Sequence, residues 1–190
     1  MRPHDAFQKG DALIVVDVQN DFCPGGKLAI EHGDDVVPIL NELMAAATEK
    51  GVPVFASRDW HPIVHVSFKD QGGPWPPHCV QDTEGALFHP DLRLPENAII
   101  VTKGVRFDHD QNSAFDETGL ATFMKNHGIR RVWVGGLAQD VCVAATVLDA
   151  RAVGLDAHVI ENATRPVTEE KGREALKKMA AAGARIERTG

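Results

Sequence analysis

Tyrosine is absent from these 190 residues, and cysteine occurs three times, at Cys23, Cys79 and Cys142. An odd, sparse set of thiols is not a disulfide framework and fits a reducing compartment. Long apolar runs are missing as well. The longest mostly apolar stretch, Val141 to Leu148, falls far short of the roughly 20 residues a helix needs to cross a bilayer, so a membrane span is excluded. Near the N-terminus, Arg2, His4, Asp5 and Lys9 interrupt any signal-peptide-like run, and the expected location is the cytoplasm. Basic charge is in deficit. Lys and Arg total 20 against 27 Asp and Glu, and the formal charge of −7 repels a phosphate backbone, which argues against nucleic acid as a partner. Repeats, low-complexity tracts, charge blocks and linker-like segments are lacking too, so residues 1–190 are expected to form one domain. What the chain does have is apolar residue, 43% of the total, enough for a substantial core and too much for a disordered chain.

Strand and helix patterns alternate. Ala12–Val18 (ALIVVDV) reads as a buried parallel strand. Val36–Lys50 has apolar residues at helical spacing and a stop at Gly51. Further strands are expected at Val52–Ser57, Ala98–Thr102, Arg131–Gly135 and Leu155–Ile160, with a final edge strand at Ala184–Glu187. Further helices are expected at Leu120–His127 and Val141–Val153. Another runs from a Thr168 cap to about Ala182, with Glu169 and Glu170 complementing its dipole. This alternation predicts an α/β fold of three layers, a mostly parallel sheet flanked by helices on both faces. Ligands in such folds sit beyond the carboxyl ends of the strands. Chemistry should therefore gather at Asp17, Asp59, Lys103 and the turn after Gly135. The stretch from Asp59 to Pro95, rich in Pro, Gly and His, is too long for an idle loop and is expected to carry function.

Three residues stand out at strand ends. Asp17 follows four apolar residues and is either a turn former or a buried carboxylate in need of a partner. Lys103 ends another apolar run and reads as a solvated strand end or as a functional cation. Cys142 falls just after Gly135-Gly136, in the first turn of a predicted helix. There the dipole and free N–H groups favour a thiolate and offer an oxyanion site; the alternative is a buried structural thiol. A fourth feature is the segment Asp59-Trp60-His61, with His65 and His78 close behind. Asp59 and His61 share a face in extended backbone. One carboxylate with two or three imidazoles suits zinc, iron or manganese better than calcium or magnesium. The alternative is a set of exposed loop histidines. Cys79, next to His78, reads as a packed thiol or as a further ligand, and Cys23 as a packed thiol.

In chain order, Asp17-Val18-Gln19-Asn20-Asp21-Phe22, Asp59-Trp60-His61-Pro62 with His65 and Ser67-Phe68, Trp75-Pro76-Pro77-His78-Cys79, Lys103-Gly104, and Gly136-Leu137-Ala138 to Cys142-Val143 resemble the nicotinamidase/pyrazinamidase branch of the isochorismatase-like cysteine hydrolases. The resemblance extends from Ala12 to about Ala182. It implies a six-stranded sheet in Rossmann-like order and hydrolysis of nicotinamide to nicotinic acid and ammonia in NAD salvage, with pyrazinamide as a second substrate. It implies Asp17, Lys103 and Cys142 as catalytic residues and Asp59, His61 and His78 as ligands of one divalent ion, with zinc first and iron or manganese as alternatives. It further implies a cis peptide before Ala138, backbone N–H groups of Ala138 and Cys142 facing an oxyanion, and Phe22, Trp75 and Ala138 around the substrate ring. His65 is an accessory candidate. Asn112 is another, standing where many relatives have tyrosine; Gln139 stands where many have threonine. Another amidase acting on a carbamoyl or ureido substrate, and a metal-binding interaction domain, are the competing readings. Assembly into a homo-oligomer is left open.

Overall fold

The structure, a computed structural model, describes residues 2–190. Strand β1 (Asp11–Val16) is buried at every position, as an unbroken apolar run requires of a strand covered on both faces. It lies between β2 (Val54–Asp59) and β4 (Arg131–Leu137), parallel to both. Strand β3 (Ile99–Lys103) continues the sheet beyond β2, and β5 (Asp156–Arg165) and β6 (Arg185–Glu187) continue it beyond β4. The order β3-β2-β1-β4-β5-β6 is doubly wound, and every pairing is parallel.

Alternate residues of β1 feed two cores. Leu13 and Val15 pack with Leu40, Leu43 and Met44 of α2 (Val36–Glu49), beside the short α1 (Pro3–Ala6). Ala12, Ile14 and Val16 pack on the opposite face with α3 (Leu120–Asn126), α4 (Ala144–Ala152) and α5 (Glu169–Ala181), through Met124, Val147 and Met179. Thr168 caps α5 as expected: its hydroxyl accepts the Lys171 N–H at 3.3 Å. Among the described residues, no helix is long and apolar enough to cross a membrane.

Two local expectations need correction, and the long Pro-, Gly- and His-rich stretch is irregular as expected. The helix expected from Val141 opens instead with a π-helical turn, Gln139–Val143, and becomes α-helical only at Ala144. Strand β5 runs past Ile160 to Arg165. A register shift opposite Val134 and Gly136 lets it resume pairing, with Leu137 opposite Arg165. No helix bridges β2 and β3. Residues 60–98 fill that place with two 3-10 turns and isolated bridges.

Candidate active site

Register decides which side chains meet. Asp59 and Lys103 are opposite each other at the ends of β2 and β3, and Val16 is paired with Ser57 on one side and Gly136 on the other. A Cβ on Gly136 would lie 2.1 Å from the Val16 carbonyl oxygen, so β4 approaches β1 here only as glycine. Just beyond Val16 the chain turns at Asp17, with φ of +47°, a conformation Asp tolerates better than most residues. That turn aims the Asp17 carboxylate inward, where it is fully buried.

The Asp17, Lys103 and Cys142 side chains converge. Lys103 Nζ lies 2.7 Å from Asp17 Oδ2, 2.6 Å from Asp59 Oδ1 and 3.6 Å from Cys142 Sγ. Hydrogen bonds go to Asp59 and Cys142 and an ion pair to Asp17, and the ammonium is not solvated at all. Ser57 Oγ donates to Asp17 Oδ1 at 2.7 Å. The contact at Oδ2 is an ion pair without hydrogen-bond alignment, which leaves a lone pair free to take a proton. A carboxylate oxygen of Asp17, one of Asp59 and Cys142 Sγ all lie within 4.8 Å of one another.

Burial dominates the protonation of this cluster. It raises the Asp17 carboxyl pKa, although Lys103 pulls it down, and Asp59 adds to the rise. Burial opposes the charge on Lys103, yet the two carboxylates outweigh it and hold the ammonium charged well above its usual range. At Asp59, burial is again opposed, here by Lys103 and His61, and the carboxylate stays ionised well below its usual range. Cys142 differs from the sequence expectation of a stabilised thiolate. Burial raises its pKa well above normal; Lys103 lowers it, but Asp17 and Asp59 push the other way. The resting group is a thiol with a carboxylate close by.

The second cluster shares Asp59. Ligand atoms of Asp59, His61 and His78, all buried, lie within 4.8 Å of one another, with His61 Nε2 3.4 Å and His78 Nε2 3.9 Å from Asp59 Oδ2. The histidines are not loose loop residues. His61 N–H donates to the Cys79 carbonyl and Gln81 N–H to the His61 carbonyl, a bridge that carries His78 to His61. His61 Nδ1 pairs with the Gly104 carbonyl at 2.8 Å and His78 Nδ1 with the Pro76 carbonyl at 2.7 Å. Each ring then donates from Nδ1 and keeps an Nε2 lone pair toward Asp59, the arrangement of metal-ligating histidines. Burial lowers the His78 pKa and favours the neutral ring a metal needs; at His61 burial is outweighed by Asp59, which raises the pKa, so an ion there must displace a proton. His65 stacks on His61 with centroids 4.2 Å apart, and its buried Nε2 has no hydrogen-bond partner. By donor chemistry and orientation, these residues fit a divalent transition ion.

Both clusters border one cavity. Asp59, His78 and Cys142 lie on its wall, with Phe22, Trp75, Ala138 and Asn112 around them. The Leu137–Ala138 peptide is cis, as the resemblance implies. Cys23 and Cys79 stay outside both clusters. Burial, with Asp34 nearby, pushes the Cys23 thiol to about 11, and burial raises Cys79 well above normal.

The strand-end reasoning missed two supporting residues, a buried amide and a carboxylate. Gln19 accepts the Asp59 N–H at 2.8 Å and donates to the Asp59 carbonyl at 2.7 Å, clamping that residue's main chain. Its place inside the Asp17–Phe22 motif was the available signal. Asp110, whose carboxylate lies within 4.8 Å of His61 and His65, follows an exposed loop and carries no such signal.

Fold and site define a doubly wound α/β protein whose strand ends present a thiol, a carboxylate and an ammonium beside a metal-type donor set. The chain belongs to the isochorismatase family, whose domain matches residues 11–189. It is 40% identical over 178 residues to a nicotinamidase of Acinetobacter baylyi, covering 82% of this chain and 81% of that one. It is 39% identical over 198 residues to a nicotinamidase of Escherichia coli, covering 92% and 93%. Among solved structures, a zinc complex of a Pyrococcus horikoshii pyrazinamidase matches with a TM-score of 0.91 at 42% identity, over 94% of this chain and 99% of that one.

Proposed function

We propose that this chain, as one hydrolase domain over residues 1–190, hydrolyses nicotinamide to nicotinic acid and ammonia, and pyrazinamide by the same route. The observation that carries the reading is the meeting of two clusters on one cavity wall. Cys142 with Asp17 and Lys103 is the reacting set, and Asp59, His61 and His78 would hold the ion. The nicotinamidase relatives and the zinc-bound neighbour support both parts.

Asp17 Oδ2 takes the Cys142 proton as Sγ attacks the carboxamide carbon. The carbonyl oxygen becomes an oxyanion, held by the backbone N–H groups of Ala138 and Cys142. Asp17 returns the proton to the nitrogen, the C–N bond breaks, and ammonia leaves a thioester. Water then gives a proton to Asp17 and its oxygen to the acyl carbon. Collapse restores the Cys142 thiol, with the proton from Asp17, and releases the acid. Lys103 keeps Asp17 ionised against its burial and offsets charge developing on Sγ. Phe22 and Trp75 enclose the ring. When bound, the ion supplies a Lewis acid for the ring nitrogen, and zinc suits the one-carboxylate, two-imidazole set, with iron or manganese as alternatives. The buried, unpartnered Nε2 of His65 supports it as a further ligand. Three free cysteines suit a cytoplasmic setting, where the product enters NAD salvage.

Ammonia release from nicotinamide tests the reading. Cys142→Ala is expected to lose turnover while keeping its unfolding temperature and bound metal. Undiminished turnover in that variant refutes the mechanism.

A further inference from the structure

One buried side chain closes the loop that follows β3. Gln111 is buried; its Oε1 accepts the N–H groups of Gly104 at 3.0 Å and Val105 at 3.3 Å, and its Nε2 donates to the Asp116 carbonyl at 2.6 Å. Two residues past Asn112, the Ala114 N–H donates to Thr146 Oγ1 at 3.0 Å, on the helix entered from Cys142. The main chain at Asn112 is therefore pinned on one side to the segment leaving Lys103 and on the other to the helix following Cys142.

The Asn112 side chain lines the cavity, and its Oδ1 stands 4.0 Å from Cys142 Sγ as the acceptor of the thiol. Around Sγ, Lys103, Asp17 and Asp59 occupy the buried side and are committed to charge and proton. Asn112 Oδ1 is a neutral acceptor on the open side, where an attacked carbon and its substituents must lie. Once the thiol proton has gone to Asp17, that oxygen loses its donor.

We infer that Asn112 is a specificity-determining residue that reads the leaving group: its Oδ1 accepts an N–H from the amide nitrogen of the substrate. The inference rests on the amidase reading above. A primary amide presents two N–H donors at the nitrogen that becomes ammonia. An ester presents none there, and leaves Oδ1 without that partner. Asn112 thus favours amides over esters of the same acid.

The test compares kcat/KM for nicotinamide and for methyl nicotinate in the wild type, Asn112→Ala and Asn112→Asp. Asn112→Ala is expected to lower the amide-to-ester ratio about five- to tenfold, the worth of one neutral hydrogen bond. Asn112→Asp keeps an acceptor oxygen and should hold the ratio within about twofold of wild type. The Kd values of the two compounds, measured with and without Asn112→Ala on a Cys142→Ala background, give the same ratio without turnover. There the ester must gain on the amide by a similar factor. An unchanged ratio in an active Asn112→Ala enzyme, or equal losses on both compounds, overturns the inference alone. A wild type that releases no ammonia from nicotinamide refutes the parent reading and this inference with it.

Discussion

Replacing Lys103 with methionine removes a charge that serves two buried carboxylates at once. Asp17 is fully buried and Asp59 is 5% exposed, and Nζ bridges them at 2.7 and 2.6 Å. Removing one partner of a buried pair typically costs about 3–5 kcal/mol, and a shared partner puts Lys103 at the upper end, about 4–5 kcal/mol. A chain of this size shifts its Tm by about 2–4 °C per kcal/mol, so the variant should unfold about 8–20 °C below wild type at pH 8. The loss depends on pH with a definite sign. Burial already raises Asp17 above its unfolded value, and without Lys103 it rises further. The folded variant then binds a proton that the unfolded chain does not, so its stability is highest at low pH and falls as pH rises through the Asp17 pKa. The gap to wild type is therefore widest at pH 8 and narrows toward pH 5. Calorimetry across that range, after chelation so that no ion neutralises Asp59, measures it. Adding Asp59→Asn to the variant removes one of the two uncompensated charges and should recover part of the gap. A shift below about 3 °C at pH 8, or a gap that widens as pH falls, refutes the argument.

Two further variants probe the donor set. Gly104 has φ of +68°, and a Cβ there would lie 2.5 Å from His61 Cε1 and 2.7 Å from Nδ1. Gly104→Ala should therefore displace His61 and weaken zinc binding at least tenfold in a chelator competition; unchanged affinity would show that His61 is not a ligand. Gln19→Leu removes the carboxamide that clamps the Asp59 main chain. It should weaken zinc about 10–100-fold as well as lower the Tm. A lower Tm with unaltered zinc affinity would reduce Gln19 to a packing role.

The strands were legible because their covering on both faces demands continuous apolar runs, and β1 is the plainest case. The far half of β5 was not, because Glu161 and Asn162 interrupt its apolar run while the sheet still accepts it through a register shift. The π-helical opening before α4 was hidden for a related reason: the residues are ordinary helix formers, and only the path from β4 requires the wider turn. Asp17, Lys103 and Cys142 were visible as polar residues ending or following apolar runs. Their gathering beyond the strand ends was expected as well; which atoms touch was not, since that depends on sheet order and on Asp59 standing opposite Lys103, and periodicity encodes neither.

The charge state of Cys142 shows the same limit in energetic form. Read along the chain, the thiol has a helix start and a distant lysine, and both argue for a thiolate. Folded, it has that lysine at 3.6 Å, but also burial and two carboxylates, and these win. Asp59 is the residue whose two roles separate only in three dimensions. In sequence it is the first member of Asp-x-His, a ligand candidate. In the structure its Oδ1 holds Lys103 while its Oδ2 faces His61 and His78. One carboxylate therefore belongs to both clusters, and a change at Asp59 must disturb the charge on the reacting side together with the donor set. Substitution of His78 removes a donor that makes no contact with Lys103, which makes it the cleaner way to separate the two.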